Sequence, residues 1–159
     1  MGSCITCINW KKYNDSIDLT NYNSDNTPWL SLKGEKLQCK VIDVYDGDTV
    51  TLIIPWNKSV YKKKCRLVGM DSPEIRTKDL VEKAAGYDAK EFLNKTIGGK
   101  IIWVECDDWD KYGRLLVVIY VNKSDLGTWG KSVNKLMIDK KLAYSYDGGT
   151  KSAFKLWHA

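Results

Sequence analysis

The sequence predicts an α+β fold that is mainly β: a closed barrel of five strands with two to three short helices. Two observations support this prediction. Three β-type segments follow one another between residues 37 and 70, and two more follow a single helical segment. The order β-β-β-α-β-β-α, with a helix between the third and fourth strands, is typical of a five-stranded OB-fold barrel.

The first three strands are predicted from the spacing of apolar residues. Residues 37–45 alternate between apolar and polar, and residues 49–54 are rich in β-branched types. Residues 60–70 alternate again after a loop that contains Pro55 and Asn57. Alternation with period two is typical of half-buried strands, so we predict an antiparallel meander here.

The spacing then changes to that of a helix. Over residues 79–95 the apolar residues fall on one stripe, and Asp79 followed by Glu82 suits a helix start. Gly98 and Gly99 are expected to end the helix. The predicted apolar stripe consists of Val81, Ala84, Ala85, Ala89, Phe92 and Leu93.

Two more strands and a short helix complete the predicted elements. Residues 100–106 and 114–121 are β-type, and the segment Asp110-Lys-Tyr-Gly113 joins them as a turn. A second helix is predicted over residues 129–140.

Composition predicts the domain organisation. Residues 1–36 are rich in Asn, Asp, Ser and Thr, so we predict an N-terminal arm over 1–36 and an OB-fold domain over 37–159. A chain of 159 residues is long enough to bury one core.

The sequence contains no apolar run of about eighteen residues that predicts a membrane span. The net charge of +5 is consistent with an anionic substrate but does not establish one.

Histidine and cysteine usage excludes several kinds of chemistry. His158 is the single histidine and lies next to the C-terminal residue, which argues against catalytic triads and histidine-ligated metal sites. Three of the five cysteines lie in strand-like runs, so we expect core thiols in a reducing compartment. Cys4 and Cys7 form half of a zinc motif, but no second half follows.

Charged residues interrupt or end the predicted strands, where a compact fold can bring them together. The carboxylates suit a hard cation, the arginines suit a phosphate and its transition state, and one further carboxylate suits a general base. This chemistry indicates metal-assisted hydrolysis of a phosphodiester. The segments are Asp46-Gly-Asp48, Arg66, Asp71-Ser-Pro-Glu74 and Asp110-Lys-Tyr-Gly-Arg114.

From about Lys36 to Tyr146 the chain resembles the staphylococcal nuclease (thermonuclease) family. The resemblance rests on several motifs found together, in order and at compatible spacings. They are Asp46-Gly-Asp-Thr-Val50, Arg66-Leu-Val-Gly-Met-Asp71-Ser-Pro-Glu74 and Asp110-Lys-Tyr-Gly-Arg114. It implies an OB barrel that hydrolyses DNA and RNA with calcium, as an endonuclease and exonuclease that prefers single strands.

The resemblance also implies roles for individual residues. Asp48, Asp71 and the main-chain carbonyl of Ser72 would bind Ca²⁺, and Asp46 would reach it through water. Sites built from so few protein oxygens bind calcium weakly.

The remaining roles concern the substrate. By the same resemblance, Arg66 and Arg114 would hold the scissile phosphate, and Glu74 would orient or deprotonate the attacking water. Tyr112 and one of Tyr144 or Tyr146 would contact the nucleotide.

The first residues carry a pattern for lipid attachment. Met1-Gly2-Ser-Cys4-Ile-Thr6 fits myristoylation at Gly2, with Cys4 and Cys7 placed for palmitoylation. No secretory signal peptide is visible, so we expect an intracellular, cytoplasmic protein, with peripheral attachment to the cytoplasmic face of a membrane if Gly2 is acylated. We expect a monomer.

Other interpretations of the same residues stay open. The Asp46-Gly47 and Asp110–Gly113 segments suit plain turns, and Tyr144 and Tyr146 suit packing. A nuclease-like OB module that binds single strands or a protein partner without catalysis is the main alternative function. An interaction scaffold at a membrane is another.

Overall fold

The structure, a computed structural model, describes residues 18–149 and Phe154. The chain divides into two compact units, Met1–Leu30 and Ser31–Ala159. The acylation pattern at Gly2, Cys4 and Cys7 lies outside the described residues and stays a prediction. No helix in the described part of the chain is long and apolar enough to cross a membrane.

In the first unit the described residues include one 3-10 turn, Leu19–Asn21. Asp18 caps this turn, because its carboxylate accepts hydrogen bonds from the backbone N–H and the hydroxyl of Thr20.

The second unit contains a closed barrel whose strand order is β1-β2-β3-β6-β5. This confirms the predicted five-stranded OB-fold barrel with its mainly β content. A small second sheet pairs β4 with β7. The elements are β1 (Lys36–Val44), β2 (Thr49–Trp56), β3 (Ser59–Leu67), β4 (Met70–Asp71), α1 (Leu80–Ile97), β5 (Ile101–Trp109), β6 (Leu115–Tyr120), α2 (Val133–Asp139) and β7 (Tyr144–Ser145).

Strand register positions the ends of β2, β3 and β6. β1, β2 and β3 form the predicted antiparallel meander, and Thr49 at the start of β2 lies opposite Arg66 near the end of β3. β3 pairs in parallel with β6, which places Arg66 beside Leu116. The turn before β2, the end of β3 and the start of β6 therefore meet at one end of the barrel.

The barrel core is built from the inward-facing residues of all five strands. Val50, Leu52, Cys65 and Leu67 are fully buried on β2 and β3, with matching residues on β5 and β6. Their alternation with more exposed neighbours is the period-two pattern of the sequence.

The three cysteines predicted for the core are buried, and each has a free thiol. Burial raises the pKa of Cys39 to about 12 and that of Cys106 to about 11. Burial also raises the pKa of Cys65. These thiols therefore stay protonated at neutral pH and behave as small apolar side chains.

Helix α1 begins and ends where its capping residues predict. The carboxylate of Asp79 accepts hydrogen bonds from the N–H groups of Val81 and Glu82, and Gly98 is the C-cap. The Glu82 carboxylate does not complete a capping box; it accepts instead from the N–H of Glu74 at 3.3 Å. This contact ties the loop after β4 to the first turn of the helix.

The buried face of α1 differs from the predicted stripe. Its buried residues are Gly86, Ala89, Leu93 and Ile97, whereas Val81 is 71% exposed. Gly86 lies on this face in close contact with the loop after β4. A Cβ at this position would lie 2.9 Å from both the Pro73 carbonyl and the Ile75 side chain. A contact between the helix backbone and a loop leaves no apolar signal in the sequence.

The second predicted helix consists of two pieces. Trp129–Lys131 form a 3-10 turn, and α2 begins after Ser132. Ser132 has an extended backbone and its hydroxyl accepts from the N–H of Lys135, so it caps α2 and interrupts the helix.

Candidate active site

A cleft of about 820 Å³ lies at the end of the barrel where β2, β3 and β6 meet. Four connecting segments line it: the β1–β2 turn, the loop from β3 to the start of α1, the β5–β6 turn and the chain after β7. The predicted site residues in its wall are Asp46, Asp48, Arg66, Ser72, Glu74, Tyr112, Arg114 and Tyr146.

The β1–β2 turn is organised by Asp46. Its carboxylate accepts hydrogen bonds from the N–H of Asp48 at 3.0 Å and of Thr49 at 2.7 Å. Asp46 is therefore held by its own turn, and the turn presents the Asp48 carboxylate to the interior. An aspartate that bonds the backbone two and three residues on is a common turn device.

Gly47 allows this turn to pack closely against two other elements. A Cβ at this position would lie 2.7 Å from the Cβ of Ser72 and 2.8 Å from that of Ala89. The glycine is thus required by the approach of the loop after β4 and of α1. It brings the two acidic segments of the site together.

Arg66 joins the two buried carboxylates. Its Nη1 lies 2.8 Å from Asp48 Oδ2, and its Nη2 donates to Asp71 Oδ1. The hydroxyl of Tyr144 donates to the other Asp71 oxygen at 3.0 Å. Tyr144 therefore supports Asp71 and is not among the cleft-lining residues.

Negative charge exceeds positive charge around Asp48. Three carboxylates, those of Asp46, Asp48 and Asp71, act on one guanidinium. Burial, followed by the charge of Asp46, raises the pKa of Asp48 to about 7. Burial alone would lower the pKa of Arg66, but Asp48 and Asp71 hold it above its ordinary value. An added cation would favour the ionised form of Asp48.

The donor chemistry of this cluster fits a hard divalent cation, since the available ligands are carboxylate and carbonyl oxygens. Among residues 18–149 and Phe154, however, no three acidic, cysteine or histidine side chains converge closely enough to form a complete ligand group. Asp48 and Asp71 would have to supply a partial set, as the family resemblance implies for them and for the carbonyl of Ser72.

Arg114 reaches the cleft from the β5–β6 turn. Its Nε donates to Asp110 Oδ2 at 2.6 Å, and its Nη1 donates to Thr49 Oγ1 at 3.1 Å. Burial would raise the pKa of Asp110, but the backbone and side-chain hydrogen bonds from Arg114 and the N–H of Tyr112 hold it below its ordinary value. Asp110 thus fixes both the turn and the direction of the guanidinium.

The other polar groups of the cleft differ in exposure. Glu74 is an exposed carboxylate, whereas Ser72 is buried beside Asp48. Tyr112 is exposed and its ring lies 5.6 Å from the Arg114 guanidinium. The ring of Tyr146 lies 6.0 Å from the guanidinium of Arg66. Both rings therefore stand beside an arginine at the cleft.

Comparison with known protein families assigns the chain to one of them. The family described as "Staphylococcal nuclease homologue" matches residues 64–156, which is more than half of the chain. The chain belongs to the staphylococcal nuclease homologue family. Within the family match lie Arg66, Asp71, Glu74 and Arg114, whereas the Asp46-Gly-Asp48 turn precedes it.

Individual relatives of this staphylococcal nuclease homologue carry nuclease names. An uncharacterized endonuclease of Haemophilus influenzae is 30% identical over 112 residues, 70% of this chain and 54% of that protein. Endonuclease YncB of Bacillus subtilis is 29% identical over 127 residues, 73% of this chain and 55% of that protein. Thermonuclease of Staphylococcus hyicus is 29% identical over 86 residues, 53% of this chain and 48% of that protein. The chain spans about half the length of these curated relatives.

Three residues of this nuclease-homologue site were not assigned a role from the sequence. Thr49 donates to Asp48 at 2.8 Å and accepts from Arg114, so it links the two halves of the cleft. Asp110 orients Arg114. Thr49 and Asp110 belong to the recognised motifs, which could have identified them. Asn134 on α2, which binds the carbonyl of Val68 beside the cleft, belongs to none.

Proposed function

We propose that this domain hydrolyses phosphodiester bonds of DNA and RNA, preferably in single strands, with calcium as cofactor. The observation that supports the proposal is one cleft lined by two arginines, Arg66 from β3 and Arg114 from the β5–β6 turn, and by carboxylates of different exposure. The nuclease names of the relatives in the same family agree with it. Calcium and the substrate preference rest on the family resemblance.

The two arginines suit a phosphate. A planar guanidinium can donate two parallel hydrogen bonds to phosphate oxygens and can stabilise the charge of a pentacovalent transition state. Asp110 and Thr49 hold one side of Arg114, and Asp48 and Asp71 hold Arg66. Both groups are positioned before substrate arrives, which reduces the cost of ordering them.

Calcium would be held by Asp48, Asp71 and the carbonyl of Ser72, with Asp46 nearby, and would supply charge that polarises the phosphate. The raised pKa of Asp48 supports this assignment, because the cluster has more carboxylates than Arg66 can neutralise.

Glu74 is proposed to orient and deprotonate the attacking water. It lines the cleft, it is exposed to the solvent from which water enters, and the described residues of the cleft wall include no histidine. A positioned carboxylate can act as a general base where no imidazole is in reach. Tyr112 and Tyr146 are proposed to contact the nucleotide through their rings.

The test is hydrolysis of heat-denatured DNA and of RNA with calcium, with magnesium and with chelator. We expect calcium-dependent cleavage by the wild type and a loss of two orders of magnitude or more in Glu74→Gln. Arg114→Lys keeps the charge but not the planar fork, so we expect it to lose most turnover. Glu91→Gln is the matched control, because Glu91 is an exposed carboxylate of α1 that pairs with Lys95.

Two results would contradict the proposal. Undiminished cleavage by Glu74→Gln would refute the role of Glu74 as general base, and undiminished cleavage by Arg114→Lys would refute the two-pronged contact of Arg114 with the phosphate. Binding of single strands by the wild type without cleavage under any condition would favour a non-catalytic binding module.

A further inference from the structure

The outer face of β3 carries a row of cations that starts at the cleft. Lys62, Lys64 and Arg66 share this face, because Cys65 and Leu67 between and beside them point into the core. Successive members are two residues apart, roughly 6.6 Å along a strand. Arg66 lines the cleft, and the two lysines lead away from it.

The lysines of this row are available to a ligand. Lys62 and Lys64 are exposed, and none of the ion pairs among the described residues involves either of them. Their neighbours on β2 are Ile53 and Thr51, which carry no charge. Asp43 on β1 is the acidic residue opposite Thr51, one strand further away.

A tyrosine lies beside the row at the edge of the cleft. The Tyr45 ring is 5.7 Å from Lys64 Nζ and 5.3 Å from the Arg76 guanidinium, both within cation–π range. Tyr45 directly precedes Asp46, and Arg76 follows Glu74 by two residues. Because Asp46 and Glu74 line the cleft, this cluster is continuous with it.

We propose that Tyr45, Lys62, Lys64 and Arg76 form a second binding surface, the β3 surface, on which a single strand of DNA or RNA continues out of the cleft. This rests on the proposed function. Lysines at the spacing of alternate strand residues would follow the phosphates, and the tyrosine would stack on a base. Exposed cations beside an aromatic ring are the combination that binds single strands without base specificity. Lys64 and Arg76 turn from the ring to phosphate oxygens as the base takes their place.

The β3 surface makes affinity depend on strand length. A strand of about three nucleotides fills the cleft alone, whereas one of about ten also reaches the lysines, within the range of site sizes known for OB folds. The test is binding of fluorescent oligonucleotides of these two lengths in chelator, so that cleavage does not interfere. The variants are Lys62→Ala/Lys64→Ala, Tyr45→Ala and Tyr45→Phe.

We expect the double lysine variant to bind the longer strand on the order of tenfold more weakly and the shorter one nearly normally. For this variant, the slope of the logarithm of the binding constant against the logarithm of the salt concentration should be smaller in magnitude by about 1.4, since each phosphate contact to a single strand contributes about 0.7. Tyr45→Ala should lose about fivefold or more for the longer strand, and Tyr45→Phe should keep the affinity.

The control is Lys123→Ala/Lys140→Ala, which removes the same charge elsewhere. Lys123 makes the same kind of contact, 5.0 Å from the Trp103 ring, and Lys140 is exposed at the end of α2. An equal loss in this control would overturn the proposal, because net charge alone would explain binding. Equal affinity of the wild type for both lengths would overturn it too.

Three further outcomes separate the β3 surface from the proposed nuclease activity and from membrane binding. Cleavage of denatured DNA by the wild type together with unchanged binding in the β3 variants would refute the β3 surface and leave the nuclease proposal intact. Absence of cleavage together with the expected binding losses would refute the nuclease proposal and support the β3 surface. Binding of anionic vesicles that is lost in the same variants, without any effect on oligonucleotides, would assign the surface to a membrane and refute it.

Discussion

Replacing Asn134 should destabilise the domain more than any exposed polar substitution, although Asn134 is absent from the motifs of the site. The side chain is fully buried. Its Oδ1 accepts from the N–H of Ile119 at 3.0 Å, and its Nδ2 donates to the carbonyls of Val68 at 2.9 Å and Val117 at 3.0 Å. One amide therefore joins α2, β6 and the loop between β3 and β4.

The cost of Asn134→Ala follows from the groups left behind. The Val117 carbonyl keeps a second donor, the N–H of Val68 at 3.0 Å. The Ile119 N–H and the Val68 carbonyl lose their Asn134 partner. Each buried polar group left unsatisfied costs about 1–3 kcal/mol, so we expect a loss of about 2–6 kcal/mol. That is a large part of the total stability of a typical domain.

Urea unfolding followed by tryptophan fluorescence measures this loss, with the midpoint compared at constant m. Asn94→Ala is the control, since Asn94 is exposed on α1 and should change stability by about 0.5 kcal/mol at most. A loss below about 1 kcal/mol for Asn134→Ala would refute the account of the buried hydrogen bonds.

Asn134→Asp tests the same account through pH. The carboxyl can still accept from Ile119, but an ionised group would face the carbonyls of Val68 and Val117, so its pKa should rise on folding. The stability contributed by its protonated form is present below the pKa of an unfolded Asp, about 3.9, and is lost as pH rises through the raised value. We therefore expect this variant to be less stable at pH 8 than at pH 5 relative to the wild type. An equal difference in unfolding free energy between Asn134→Asp and the wild type at pH 5 and at pH 8 would argue against this account of the buried hydrogen bonds.

Two further predictions concern the acidic segments. Burial and the charge of Asp46 raise the pKa of Asp48 to about 7, so the stability contributed by its protonated form should be lost in chelator as pH rises from about 4 through 7. Urea unfolding at several pH values should show this loss for the wild type but not for Asp48→Asn. Parallel plots of unfolding free energy against pH for the two proteins would contradict the prediction. Gly47→Ala should lower both the melting temperature and the cleavage rate, because its methyl group would force Ser72 and Ala89 apart; wild-type values of both would show that the close packing is not required.

Much of the fold was predictable because its signals are local. Alternation on the strands and caps at Asp79 and Gly98 depend on neighbouring residues, and the structure places them as predicted. The grouping of the charged residues was predictable for a related reason. A barrel brings the ends of its strands together, and Asp46, Arg66 and Arg114 occupy such ends.

The features that the sequence could not predict depend on distant contacts. Asn134 looks like an ordinary polar residue of a short helix, and its three partners lie 15 to 66 residues away. The role of Tyr144 in holding Asp71, 73 residues earlier, is of the same kind. Gly86 looks unfavourable within a helix, yet it is buried where α1 contacts the loop after β4. Such contacts carry no periodic signal.

The ion pairs of Arg66 have a consequence for the proposed chemistry. Asp48 and Asp71 hold its guanidinium, and the same two carboxylates are those we propose for calcium. A phosphate that binds Arg66 must compete with them or share the guanidinium with them. A cation on the carboxylates would weaken that competition, and a phosphate near the cation would in turn favour cation binding. By linkage, each ligand then strengthens the other by the same factor. Arg114 pairs instead with Asp110, outside this cluster, so a phosphate that binds Arg114 does not compete with the proposed calcium ligands. Its link to Asp48 runs through the hydroxyl of Thr49.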